Sequence, residues 1–146
     1  GTGAKSRVAL ASLDISTGEC EIGEVPTADF AGDIMRLSPS EVIVSDQTLM
    51  NMELRKYLDH TGAAVTPVAS ATFDSLAGDR LLKEQLGVAE LAAFGAFTRA
   101  ELAAAGALLK YVELTQLGQK VPLRPPRRTA AVGRRERRVD HRRQLQ

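Results

Sequence analysis

Val8-Ala9-Leu10-Ala11-Ser12-Leu13-Asp14 and Cys20-Glu21-Ile22-Gly23-Glu24-Val25, joined by Ile15-Ser16-Thr17-Gly18-Glu19, decide the fold. Both runs alternate in the strand period, with Val8, Leu10 and Ser12 on one face of the first. Ser16-Thr17-Gly18 supplies turn chemistry between them, so the pair predicts a β-hairpin. Pro26 stops the second strand. Thr27 is placed to cap a helix in which Phe30, Ile34 and Leu37 recur at helical spacing until Ser38-Pro39 ends it.

Farther along, Glu41-Val42-Ile43-Val44-Ser45 is short, apolar and β-branched, the pattern of a buried parallel strand. Asp46 follows as an N-cap for an amphipathic helix through Leu49, Leu54, Tyr57 and Leu58, closed by His60-Thr61-Gly62, where the His60 cation suits the helix C-terminus. Ala64-Val65-Thr66-Pro67-Val68 predicts a strand, and Pro67 argues for an edge. Thr72 is the expected cap of a helix through Leu76, Leu82 and Leu86 that Gly87 ends. The order β-β-α-β-α-β-α predicts one α/β layer sheet with an antiparallel hairpin at one side and crossover helices elsewhere. Met35, Met50 and Met52 are expected to help fill the core.

Thr98-Arg99-Ala100-Glu101 is a capping box, and a long Ala- and Leu-rich helix follows to Gly118. At about five turns it is long for a cover on a small sheet, which predicts the start of a separate helical domain. Pro122, Pro125 and Pro126 forbid its continuation. The expected division is an α/β unit over 1–92, the long helix over 93–123, and a tail over 124–146 that is disordered or not native coding sequence.

The whole chain of 146 residues has a net charge of +1, which conceals a division. Residues 1–123 carry 10 basic and 16 acidic side chains, net −6, whereas 124–146 carry nine Arg against Glu136 and Asp140, net +7. One cysteine, Cys20, excludes an intramolecular disulfide and a thiolate metal site, and lies mid-strand as a small packing residue. Aromatic residues are 4% of the chain with no Trp, too few for a base-stacking platform. No run is long and apolar enough to span a membrane, which with the reduced cysteine predicts a cytoplasmic protein.

Asp14 is the one residue with an enzyme-like setting. A strand-end Asp before a Thr-Gly turn resembles the phosphate loop of sugar kinases and actin-like ATPases, and the first acid of ribonuclease-H-like nucleases. Such a site needs further acids at later strand ends, and Asp46 is better explained as a cap. Two rivals therefore stand beside a non-catalytic module: a small ribonuclease-H-like nuclease or actin-like phosphotransferase using Asp14, and a nucleic-acid binder acting through the Arg-rich tail.

The succession of motifs resembles one family. Ala11 to Glu19, Met35-Arg36-Leu37-Ser38-Pro39-Ser40-Glu41-Val42-Ile43-Val44, Gln85-Leu86-Gly87-Val88, Ala93-Phe94-Gly95 and Ala103 to Gln116 are similar, in order and spacing over about 7–124, to the connector domain (domain II) of the MutS mismatch-repair family and the first helix of its lever and core region. The positions carrying the likeness are Asp14, Thr17, Gly18, Pro39, Gly87, Phe94, Gly95, Gly106, Thr115 and Gln116, all structural. The resemblance implies a ribonuclease-H-like connector sheet with crossover helices, followed by a long helix starting an all-α domain, and no catalytic, cofactor or metal site in this segment. It implies a link between the mismatch-binding domain and the lever and ATPase parts, and a docking surface for MutL. Mismatched DNA, ATP and Mg, and the MutS dimer belong to the intact protein, with ATP and Mg bound elsewhere. The family places another strand centrally before the hairpin, and the chain is expected to lack it.

Overall fold

The computed structural model describes residues 6–117 and 121–129. Strands β1 (Arg7–Leu13) and β2 (Cys20–Pro26) form the expected antiparallel hairpin, with Leu13 opposite Cys20 and Arg7 opposite Pro26. Helix α1 (Phe30–Leu37) follows, and Ser38 ends it in the left-handed conformation at φ 47° just before Pro39. Then come β3 (Glu41–Ser45), α2 (Met52–Thr61), β4 (Ala64–Val68), α3 (Ser75–Leu86) and α4 (Arg99–Thr115). A two-residue strand, β5 (Arg127–Arg128), pairs parallel to β2. The chain is a mixed α/β unit.

Alternation in β2 separates two cores. Val25, pointing one way, packs with Phe30 and Ile34 of α1, Val44 of β3 and Leu58 of α2, with Val8 and Leu10 of β1 against them. Cys20 and Ile22, pointing the other way, pack with Leu82 of α3, Leu91 of the α3–α4 connection and Ala105 of α4, with Ala11 and Leu13 against them. The hairpin is thus covered on both faces, by α1 and α2 on one and by α3 and α4 on the other. Burial of this kind contributes about 1.5–3 kcal/mol per large apolar side chain.

Several expectations are corrected. The strands do not form one sheet: β1-β2-β5 is one hydrogen-bonded set and β3-β4, parallel, is another. Among the described residues no ladder joins β1 to β3, although both lean on the same core. The long helix α4 packs on α3 and on β1, and its Ala105 sits in the hairpin's own core. Small residues allow this approach: a Cβ on Gly78 of α3 would lie 1.8 Å from the Leu102 carbonyl oxygen, and one on Gly106 would lie 2.8 Å from the Gly78 Cα. The helix ends at Thr115, short of Gly118.

Residues 124–129 lie on the sheet, held by side chains that cross to older parts of the fold, whereas 130–146 fall outside the described residues. Three caps differ in identity. Thr27 is buried, its hydroxyl 2.7 Å from that of Ser6, and does not cap α1. Asn51 rather than Asp46 caps α2, and Asp74 rather than Thr72 caps α3, because a 3-10 turn intervenes in each case and shifts the first helical turn downstream. Met35, Met50 and Met52 are exposed, at 65%, 82% and 71%, since each projects from the polar side of its helix or from a turn.

Candidate functional site

The Asp14 turn comes first because the enzyme readings depend on it. Asp14 Oδ1 accepts the Ser16 hydroxyl at 2.6 Å, the Ser16 N–H at 2.9 Å and the Thr17 N–H at 3.3 Å. The Ser16 hydroxyl, followed by these backbone donors, holds the carboxyl below its usual range. Gly18 adopts φ +81°, and a Cβ there would meet the Pro122 carbonyl oxygen at 2.4 Å. The turn is therefore a docking point for the chain after α4: the Arg124 N–H donates to Gly18 O at 2.9 Å and Arg124 Nε to Thr17 O at 3.1 Å. Asp14, Thr17 and Gly18 thus form a turn against which the backbone of residues 122–124 rests.

Asp46 stands at the other sheet, where its N–H donates to Val68 O at 3.0 Å and its carboxylate accepts the Ser70 hydroxyl. Among the described residues no three His, Cys, Asp or Glu side chains are grouped to hold a metal ion. The convergence that a two-metal nuclease requires is not found in them. Cys20 is buried, and burial pushes its thiol up to about 12, far from a nucleophile's range. His60 sits in the last turn of α2 with Nδ1 2.8 Å from the Lys56 carbonyl.

The remaining positions that carry the family likeness occupy element ends and crossings. Pro39 follows the α1 terminus, and Gly87 closes α3 at φ 68° with its N–H directed to Glu84 O. Phe94 belongs to the core shared with Leu82 and Ala105, while Gly95, at φ 138°, lies 3.5 Å from Arg128 Cδ measured from an ideal Cβ. Gly106 makes the α3–α4 crossing, Thr115 returns its hydroxyl to Tyr111 O at 2.9 Å, and Gln116 caps α4.

Three polar bridges that sequence reasoning missed join elements far apart in the chain. Arg128 reaches from β5 to Glu101 at the start of α4, NH2 to Oε2 at 2.8 Å, where Glu101 is fully buried. Arg128 also lies over the Phe97 ring, 5.4 Å from its centroid. Glu41 of β3 accepts the Tyr111 hydroxyl of α4 at 2.7 Å and the Thr66 hydroxyl of β4. Arg36 of α1 is bidentate to Glu21 of β2, at 2.8 and 3.3 Å, and reaches Asp33 Oδ1 at 3.3 Å. The capping box alone gave a signal in sequence. Both halves form, Thr98 N–H to Glu101 Oε1 at 2.8 Å and Glu101 N–H to Thr98 Oγ1 at 3.1 Å, and Thr98 Oγ1 also donates to Glu24 of β2.

These three bridges each tie a helix to a strand distant in sequence. Comparison with known proteins agrees with that arrangement. The description "MutS domain II" matches residues 3–125, which is most of the chain. The chain belongs to the MutS domain II family. The DNA mismatch repair protein MutS of Cereibacter sphaeroides is 40% identical over 129 residues, 88% of this chain and 14% of that protein. The corresponding protein of Rhodopseudomonas palustris is 41% identical over 130 residues, 89% of this chain and 14% of its own length. The chain spans about a seventh of the MutS relatives it matches. The match runs through α4 and up to Pro125. Among the described residues no helix is long and apolar enough to cross a membrane.

Proposed function

We propose that this chain serves as the connector of a mismatch-repair MutS protein, coupling a mismatch-binding domain to the lever and ATPase parts and offering a docking surface for MutL. The carrying observation is the match to MutS domain II over residues 3–125. Its own residues act by position, not by bond chemistry. A domain that relays movement must keep its layers in register, and the Arg128–Glu101, Tyr111–Glu41 and Arg36–Glu21 bridges join strands to helices at three places. Mismatched DNA, ATP with Mg, and the MutS dimer are properties of the intact protein in this reading, in the cytoplasm.

A further strand from a longer polypeptide fits between β1 and β3, in a ribonuclease-H-like arrangement. In support of it, β1 ends its hydrogen-bonded set and β3 has β4 as its one ladder partner among the described residues, yet Val8, Leu10 and Val42 pack on one core. Unpaired edges of this kind accept strands readily.

The test is a chimera in which residues 3–125 replace domain II of the Rhodopseudomonas palustris MutS. The proposal expects mismatch-dependent recruitment of MutL to survive in the chimera. Loss of MutL recruitment by a chimera that still binds mismatched DNA and hydrolyses ATP would contradict the connector role.

A further inference from the structure

Residues 121–129 return from the end of α4 across the hairpin, and their attachment is uneven. Arg124 donates two hydrogen bonds to the β1–β2 turn, at the exposed Thr17 and the buried Gly18. Strand β5 is two residues long, too short to be stable through its ladder alone. Arg127 approaches Glu19 and Glu21 at 3.7 and 3.9 Å from a mostly exposed position, where ion pairs contribute little. Arg128 is the exception, because its partner Glu101 is fully buried and has no other cation among the described residues. Beside it Thr129 is packed over Gly23, with the Thr129 hydroxyl buried and without a hydrogen-bond partner. An orphaned buried hydroxyl opposes the seated state, since it regains water when the segment lifts.

We propose that residues 121–129 are a releasable strap pinned by Arg128, through which a pull on the chain beyond Thr129 reaches the first turn of α4 and the β1–β2 turn. The connection is direct. Glu101 receives Arg128 on both oxygens, at 2.8 Å on Oε2 and 3.4 Å on Oε1, and Oε1 also accepts the Thr98 N–H at 2.8 Å, so the carboxylate that holds the strap also closes the capping box. Thr98 in turn donates to Glu24 of β2. Lifting the strap leaves a buried carboxylate without its cation at the N-cap of α4, and that helix start then loosens. The purpose of such a device rests on the coupling reading above, but its existence does not.

Hydrogen exchange on the full chain tests it by peptide-resolved mass spectrometry. In Arg128→Met, amides in 121–129 and in 98–102 should exchange roughly tenfold faster or more, while 41–68 keeps its parent rate. In Thr129→Val, which removes the orphaned hydroxyl at nearly constant shape, 121–129 should exchange more slowly than in the parent. Parent-like exchange of 121–129 in Arg128→Met, or an equal rise in 41–68, overturns the strap. If Arg128→Met does not fold, Thr129→Val decides alone, and unchanged or faster exchange there overturns it. These outcomes are independent of MutL and of the chimera.

Discussion

Arg128 and Glu101 form an ion pair of unequal exposure: Arg128 NH2 stands 2.8 Å from Glu101 Oε2, with the carboxylate side chain at 0% and the arginine at 29% exposure. The two partners therefore fail differently. Arg128→Met strands a buried charge and should cost about 3 kcal/mol or more, whereas Glu101→Gln leaves an arginine that can turn to water and keeps the acceptor for Thr98. Urea denaturation should rank Arg128→Met well below Glu101→Gln. The double variant should recover part of the loss, because a neutral glutamine no longer needs the cation.

Two helices meet at Gly78 and Gly106 with no room for a methyl group. Gly78→Ala should destabilise the domain by about 3 kcal/mol by forcing α3 from α4. Gly32→Ala supplies the contrast. It lies within α1 with nothing within 4 Å of a new Cβ, and should stabilise by up to about 1 kcal/mol. Thermal unfolding of both variants separates tight packing from helix propensity.

Acid should weaken the fold through two exposed carboxylates. Asp14 is held below its ordinary value by Ser16, and Glu41 by the Thr66 and Tyr111 hydroxyls. A depressed folded pKa gives stability that is present above the unfolded pKa and is lost as pH falls through the folded one. Stability should fall as pH drops below the ordinary carboxylate values of 3.8 and 4.5, and Asp14→Asn combined with Glu41→Gln should flatten that part of the profile.

Cys20 reports on opening of the second core. Its thiol is buried and pushed up to about 12, so a disulfide reagent at neutral pH should modify it only as fast as the domain opens. Rapid modification under native conditions, at the rate of a free thiol, would contradict the burial.

Sequence made the periodic and locally encoded parts of this fold legible. The hairpin 8–25, the αL termini at Gly62 and Gly87, and the Thr98–Glu101 capping box each depend on residues within a few positions of one another. Caps were misplaced where a 3-10 turn moved the helix start, as at Asn51 and Asp74, because Asp46 and Thr72 are chemically equal candidates. The strap was missed because an Arg-rich composition gives no sign that Arg128 meets a carboxylate 27 positions earlier. The packing of the long helix was not legible for a related reason: Gly78 and Gly106 are compatible with either a free helix or a close crossing, and only the partner surface decides. Two of the likeness positions, Gly18 and Gly106, are points where backbone approaches backbone, as Gly18 does Pro122.

The most direct measurement of the connector account is the mutation rate of cells lacking MutS that carry the Rhodopseudomonas palustris protein with its domain II replaced by residues 3–125. The account predicts a rate restored close to that given by the unaltered relative. A rate that stays at the level of cells without MutS, from a chimera that is full-length and binds mismatched DNA, would contradict it.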